Sequence, residues 1–163
     1  MAQISFGDLQ QIREEHKDKK IAFCSGSFDL THAGHLLFFE DCKKYGDILV
    51  VGVGSDKMLK ENKGGKRPIL NEHVRIKMID SLKQVDYCLL DSISDEGSPL
   101  RMLNAIFEDL KPDIYIINED AFNIPYRIDL CKKFNIEMVK LKRWCPKEFD
   151  GISTTKIINK ILN

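Results

Sequence analysis

With 163 residues, 43% of them hydrophobic and 31% charged, the chain has the length and composition of one globular domain, not of a disordered or fibrous protein. Lysine plus arginine (25) equals aspartate plus glutamate (25), so no global field favours nucleic acid or an anionic membrane. Any anion site must be a local concentration of charge. The five cysteines, Cys24, Cys42, Cys88, Cys131 and Cys145, are widely spaced without a Cys-x-x-Cys pair, which argues against a zinc site or disulfide framework and for reduced thiols in a cytoplasmic protein.

Short β-rich apolar runs alternate with amphipathic stretches, the pattern of a parallel sheet with crossover helices. Residues 1–20 are expected to hold an N-terminal helix, over roughly Phe6–Lys19; Asp8, Arg13 and Glu14 leave no signal-peptide core there. Ile21–Ser25 reads as the first strand and Gly34–Tyr45 as a helix whose buried face comes from Leu36, Leu37, Phe38 and Phe39. Asp47–Val53 is a buried strand, too short for a membrane span, with a cap at Ser55 after it. Glu61–Pro68 reads as an exposed, mobile loop, since it holds two glycines, a proline and several basic residues.

Asn71 is a good N-cap for a helix to about Lys83. Val85–Leu90 is predicted as a strand, Pro99–Leu110 as a helix and Asp113–Ile117 as a strand. Ala121–Phe134 is mostly helical despite Pro125, Glu137–Leu141 is the last strand, and Ser153 caps a terminal helix to about Leu162. The expectation is an α/β, Rossmann-like doubly wound fold with a five-stranded, mainly parallel sheet, in a single domain over residues 1–163.

The first strand does not run into Gly-x-Gly-x-x-Gly, so a dinucleotide fingerprint is absent. It runs into Gly26-Ser27-Phe28-Asp29-Leu30-Thr31-His32-Ala33-Gly34-His35. In a doubly wound fold, ligands sit beyond the carboxyl ends of strands, where helix N-termini offer free N–H groups. Ser25, Gly26, Ser27 and Phe28 are therefore candidate phosphate-binding residues. His32 and His35 lie three apart and share one helix face, from which imidazole N–H groups can hold phosphate oxygens. A cap plus a core histidine, or metal ligation, are the competing readings; a third metal ligand is not evident nearby.

Gly26-x-Phe28-Asp29-x-x-His32-x-Gly34-His35 resembles the signature of the cytidylyltransferase-like nucleotidyltransferases. That group includes glycerol-3-phosphate and choline-phosphate cytidylyltransferases, heptose-1-phosphate adenylyltransferases and archaeal FAD synthases. The resemblance runs from about Ile21 to Ile161. It implies that a lysine of the basic segment, Lys63 before Gly64 or else Lys60, reaches the α-phosphate. It implies that Arg75, after Glu72-His73-Val74, points toward the phosphates. It also implies that Gly151-Ile152-Ser153-Thr154-Thr155 contacts the triphosphate, so that residues 152–162 complete the site. Hydroxyls at a helix start also serve simply as caps, and both uses are compatible.

The resemblance has departures. Glycerol- and choline-phosphate enzymes carry an arginine three residues before Gly151, where this chain has Glu148. Asp150-Gly151-x-Ser153-Thr154-Thr155, with Lys63-Gly64 and Arg67-Pro68, is nearer the heptose-phosphate enzymes. Those carry Lys-Gly-Gly-Asp after the fourth strand, where Ile117-Asn118-Glu119-Asp120 stands here. Asn118 remains a candidate nucleotide contact. Trp144 could stack on a ligand or close the core edge.

The implied chemistry is transfer of NMP from CTP or ATP to a phosphorylated small metabolite, such as a polyol phosphate or sugar 1-phosphate, with loss of pyrophosphate. The acceptor phosphate is already anionic, so no general base is required. Catalysis would rest on positioning and charge stabilisation by His32, His35, Lys63 and Arg75. Mg²⁺ is expected with the nucleotide, without a metal cage from the protein itself. The family also implies a homodimer, while the balanced charge and short apolar runs argue against a nucleic-acid or membrane partner. FMN adenylylation, a catalytically silent nucleotide-binding regulator and an RNA-binding module are the alternatives.

Overall fold

The computed structural model describes residues 2–93 and 100–162. Its centre is a pair of parallel strands, β2 (Ile21–Gly26) and β3 (Ile48–Val53), in register from Ile21↔Ile48 to Gly26↔Val53. All six residues of β3 are buried, as a strand covered on both faces requires, and this is why it reads as an unbroken apolar run. Beyond β3 lies β4 (Tyr87–Leu90). On the other side of β2 lie β5 (Ile114–Asn118) and β6 (Glu137–Leu141).

Among the described residues every pairing is parallel, and the sheet has six strands, not five. The additional strand, β1 (Ala2–Ile4), pairs with β4 from Ala2↔Tyr87 to Ile4↔Leu89. It falls where the sequence suggested only a helix. Three largely exposed residues carry no local strand signal; their conformation comes from the free edge of β4, more than eighty positions away. The expected helix over Phe6–Lys19 is correspondingly shorter, a 3₁₀ turn at Phe6–Asp8 leading into α1 (Leu9–Glu15).

Helices α2 (Ala33–Lys43), α3 (Asp56–Lys63), α4 (Glu72–Asp80), α5 (Arg101–Asp109), α6 (Ile124–Phe134) and α7 (Thr154–Leu162) complete the described chain. Pro99, the expected start of α5, lies outside the described residues. One face of the sheet packs Phe23, Val50, Leu89 and Tyr115 against α1, α5 and α6. The other packs Cys24, Val51, Cys88 and Ile116 against α2 and α4. Period-two alternation along each strand produces this division, and the doubly wound class follows from it.

Three local expectations change. Glu61–Lys63, read as loop, is the last turn of α3, whose start Ser55 caps by accepting the Met58 N–H at 3.2 Å. On α2 only Phe39 and Cys42 are buried, while Leu36, Leu37 and Phe38 are half-buried. Trp144 is 63% exposed and closes no core edge. Among the described residues, no helix is long and apolar enough to cross a membrane.

Candidate active site

Strand order reverses at β2. The chain continues from it to β3 on one side, and later returns on its other side through β5. Ligands of open α/β sheets bind beyond the carboxyl ends of the strands at such a switch point. Ser25 and Gly26 end β2 there, and Asn118, half-buried, ends β5.

After Gly26 the chain turns through Phe28 and Leu30, both at positive φ (48° and 50°), and reaches His32 at the N-cap of α2. The two histidines cap this helix for each other. His32 Nδ1 accepts the Gly34 N–H at 3.1 Å, and His35 Nδ1 accepts the His32 N–H at 3.3 Å. Their rings stack with centroids 4.0 Å apart and planes 26° apart. Because both Nδ1 atoms are acceptors, the neutral rings carry their protons on Nε2. The cap thus leaves an Nε2–H donor on each ring.

Both rings are held neutral. Burial pushes His35 down from 6.5 to about 3, aided by His32, Arg143 and Lys63 and opposed by Asp29. Burial lowers His32 as well, with Arg143 second. At neutral pH the pair can therefore donate hydrogen bonds without acting as general acids.

Side chains behind this turn fix it. Phe28 is buried, edge-on to His35 with centroids 5.6 Å apart, and tilted on Phe39 at 5.0 Å. A Cβ on Gly26 would come within 2.9 Å of the Phe28 ring, so this glycine makes room for an aromatic lid on its own turn. Asp29 is 1% exposed. Its carboxylate accepts the Ile69 and Leu70 N–H groups at 2.9 and 3.0 Å and pairs with Arg67 at 2.9 Å. Its carbonyl accepts the Thr154 hydroxyl at 2.8 Å. One residue thereby ties the β2 exit to the segment before α4 and to the start of α7. The motif contained Asp29, but nothing in the sequence showed this bracing role.

Arg75 lies behind the site. It is fully buried, and each of its three nitrogens has a protein acceptor: Leu70 O from Nε at 3.0 Å, Ser27 O from Nη1 at 2.6 Å and Asp56 Oδ1 from Nη2 at 2.8 Å. Glu72, one turn earlier, accepts the Asp56 N–H at 2.8 Å. The expected phosphate-facing arginine is here a strut between α4, the start of α3 and the β2 exit.

The start of α7 meets the start of α2. A Cβ on Gly34 would lie 3.0 Å from the His32 ring and 3.4 Å from the Ile152 carbonyl oxygen, so a side chain here would press on the His32 ring. Ser153 caps α7 by accepting the Lys156 N–H at 3.2 Å. Thr154 is committed to Asp29, whereas Thr155 and Gly151 are exposed. Two helix N-termini with their partial positive charge converge at one crevice, a natural place for anionic oxygens.

Cations gather around it. Lys63 ends α3 just before Gly64 and still reaches solvent. Crowding by protein lowers its ammonium pKa first, and the fields of Arg67, Arg143 and Arg75 add to this against Asp29. Lys60 is exposed one turn earlier. Arg143, which the sequence did not single out, stands on the other side and pairs with Asp120 at 2.9 Å.

Among the described residues no three His, Cys, Asp or Glu side chains gather to hold a metal ion. Neutral imidazoles and cations suit a hard, oxygen-seeking Mg²⁺ poorly. Such an ion would take its ligands from phosphates and water.

A profile described as cytidylyltransferase-like matches residues 23–160, a span containing the histidine pair, Lys63, Arg75 and the start of α7. The chain belongs to the cytidylyltransferase-like family. Over 154 residues it is 38% identical to the bifunctional protein HldE of Helicobacter pylori strain P12, covering 94% of this chain and 30% of that protein. With HldE of Geobacter metallireducens it shares 36% identity over 154 residues, covering 91% and 28%. The chain spans about 30% of the length of these relatives.

Among solved structures, a lipopolysaccharide core biosynthesis protein from Thermoplasma volcanium superposes with a TM-score of 0.64 at 31% identity, covering 78% of this chain and 99% of that one. Pantoate-β-alanine ligase from Francisella tularensis also gives 0.64, at 18% identity over 99% of this chain and 77% of that one. The latter likeness is one of fold alone.

Proposed function

We propose that the chain transfers NMP from CTP or ATP to a phosphorylated small metabolite and releases pyrophosphate, with a sugar 1-phosphate as the favoured acceptor class. The observation that carries this is the histidine pair, two neutral rings capping each other so that both present Nε2–H at the switch point. An acceptor phosphate oxygen attacks the α-phosphorus in line while the bond to the β-phosphate breaks. No proton needs to move, so buried histidines of low pKa serve as fixed donors to oxygens whose charge grows. Lys63 meets the phosphates from the end of α3, and Ser153 and Thr155 with the first N–H groups of α7 meet them from the other side. In this reading Asn118 and the residues after it read the base. Mg²⁺ would accompany the nucleotide.

The sugar-phosphate assignment draws on the likeness to HldE and to a protein named for lipopolysaccharide core biosynthesis. The departure at Ile117–Asp120 argues for a pocket different from that of the heptose enzymes. A homodimer through α2 is part of the proposal, because Leu36, Leu37 and Phe38 are left only half-covered.

The test is a pyrophosphate-release screen of the purified chain with ATP, CTP, GTP and UTP against sugar 1-phosphates, polyol phosphates and FMN. Release with one nucleotide and a sugar 1-phosphate is expected. Release only with FMN would move the acceptor class, and silence with every pair would leave a nucleotide-binding regulator.

A further inference from the structure

The segment from Lys142 to Asp150 joins β6 to α7. Its only arginine is Arg143, and Glu148 brings an anion closer to Gly151. Arg143 Nε donates to Asp120 Oδ2 at 2.9 Å. Asp120 lies two residues past β5, and the intervening Glu119 donates its N–H to Leu141 O, the end of β6, at 2.9 Å. Both residues therefore stand at the carboxyl ends of adjacent strands, on the β5 side of the switch point.

The Arg143 side chain is 62% exposed. Among the described residues only its Nε has a protein acceptor, which leaves the two terminal nitrogens open. This is the opposite arrangement to Arg75, whose three nitrogens are all taken. Arg143 also bears on the histidine pair: its charge helps to lower His32, His35 and Lys63.

We propose that Arg143 is a further triphosphate-binding residue, braced by Asp120 so that its free terminal nitrogens meet β- and γ-phosphate oxygens. The inference rests on the nucleotidyl-transfer reading. In that reaction one P–O bond forms at the α-phosphorus, one breaks, and the electron pair leaves with pyrophosphate. Negative charge therefore grows on the leaving group. Two neutral imidazoles can donate hydrogen bonds to it but cannot offset its charge. Lys63 and Arg143 can, from opposite sides, and a planar guanidinium fork can hold two oxygens at once.

Calorimetric titration with inorganic pyrophosphate alone tests this on wild type, Arg143→Ala, Arg143→Lys, Asp120→Asn and Lys142→Ala, with thermal unfolding as the check on folding. Arg143→Ala is expected to weaken binding roughly 10- to 100-fold, the range of a charge-assisted hydrogen bond. Arg143→Lys should recover part of that, Lys142→Ala should match wild type, and Asp120→Asn should lose less than Arg143→Ala. An equal loss in Lys142→Ala would reduce the effect to general surface charge. An equal loss in Asp120→Asn would make Arg143 a strut for its loop. Either result overturns the proposal, as does a wild type that binds no pyrophosphate. If pyrophosphate binds through Arg143 while no nucleotide is transferred to any acceptor, this inference stands and the transfer reading falls.

Discussion

The site has two unlike halves. At the β2 exit every candidate group is buried or doubly held: the histidines cap each other, Asp29 ties its own turn to two other segments, and Arg75 saturates its nitrogens on protein acceptors. Across the crevice, Lys60, Lys63, Arg143 and Thr155 are exposed. The buried half can fix distances and protonation states; the exposed half supplies charge. A reaction that moves no proton but spreads charge over phosphate oxygens needs both, and it needs the neutral donors where geometry is tightest.

The largest expected effect tests whether the buried half is machinery or only scaffold. In His35→Asn, the side-chain oxygen can replace Nδ1 as acceptor for the His32 N–H, yet nothing replaces Nε2–H. Turnover should fall about 10²- to 10³-fold, as when a single preorganised oxyanion donor is removed, with the melting temperature nearly unchanged. Steady-state kinetics beside thermal denaturation reads both. Near-normal turnover in a folded variant would leave the histidines a capping device and nothing more.

The two halves also differ in how far they were legible in the sequence. Five strands and the motif could be read because both are local: apolar runs, a glycine-led exit and paired histidines. β1 could not, since its pairing partner is the edge of β4. Nor could the assignment of Arg75, because its acceptors Ser27 and Asp56 lie 48 and 19 positions away, and sequence does not distinguish a phosphate-facing arginine from a buried strut. Arg143 had no motif to mark it. Its position past β6 gains meaning only when β5 and β6 are neighbours, which is a fact of topology. Phe28 shows a further limit: its place in the motif suggested ligand contact, and the structure uses its ring to pack beneath His35.

Arg75 sharpens the comparison at the level of stability. Arg75→Ala removes a fully buried guanidinium and leaves two carbonyls without their donor and Asp56 without its partner. Breaking a buried pair from one side costs about 3 kcal/mol or more, and Asp56, 26% exposed, recovers some solvation. Urea denaturation should show a loss of about 3 kcal/mol, with Arg75→Lys failing to restore it, because one ammonium cannot span three divergent acceptors. If instead stability is kept and only the KM for nucleotide rises, Arg75 belongs with the exposed cations.

The smallest effect concerns protons. An unfolded His35 titrates near 6.5, and in the folded chain burial holds it at about 3. Between those values the unfolded chain binds a proton that the folded chain refuses, so lowering the pH favours unfolding. The stability present above pH 6.5 is lost progressively as the pH falls toward 3, with a slope of at most about 1.4 kcal/mol per pH unit. Burial of Asp91 raises it to about 6, and this works in the opposite direction, because the folded chain then binds the extra proton. Wild type and His35→Asn share Asp91, so their difference isolates His35. Unfolding free energies measured from pH 7.5 to 4.5 should diverge below pH 6.5, with wild type falling more steeply. Parallel curves would mean that His35 protonates freely in the folded chain, and the buried half of the site would then supply a titrating acid and not a fixed neutral donor.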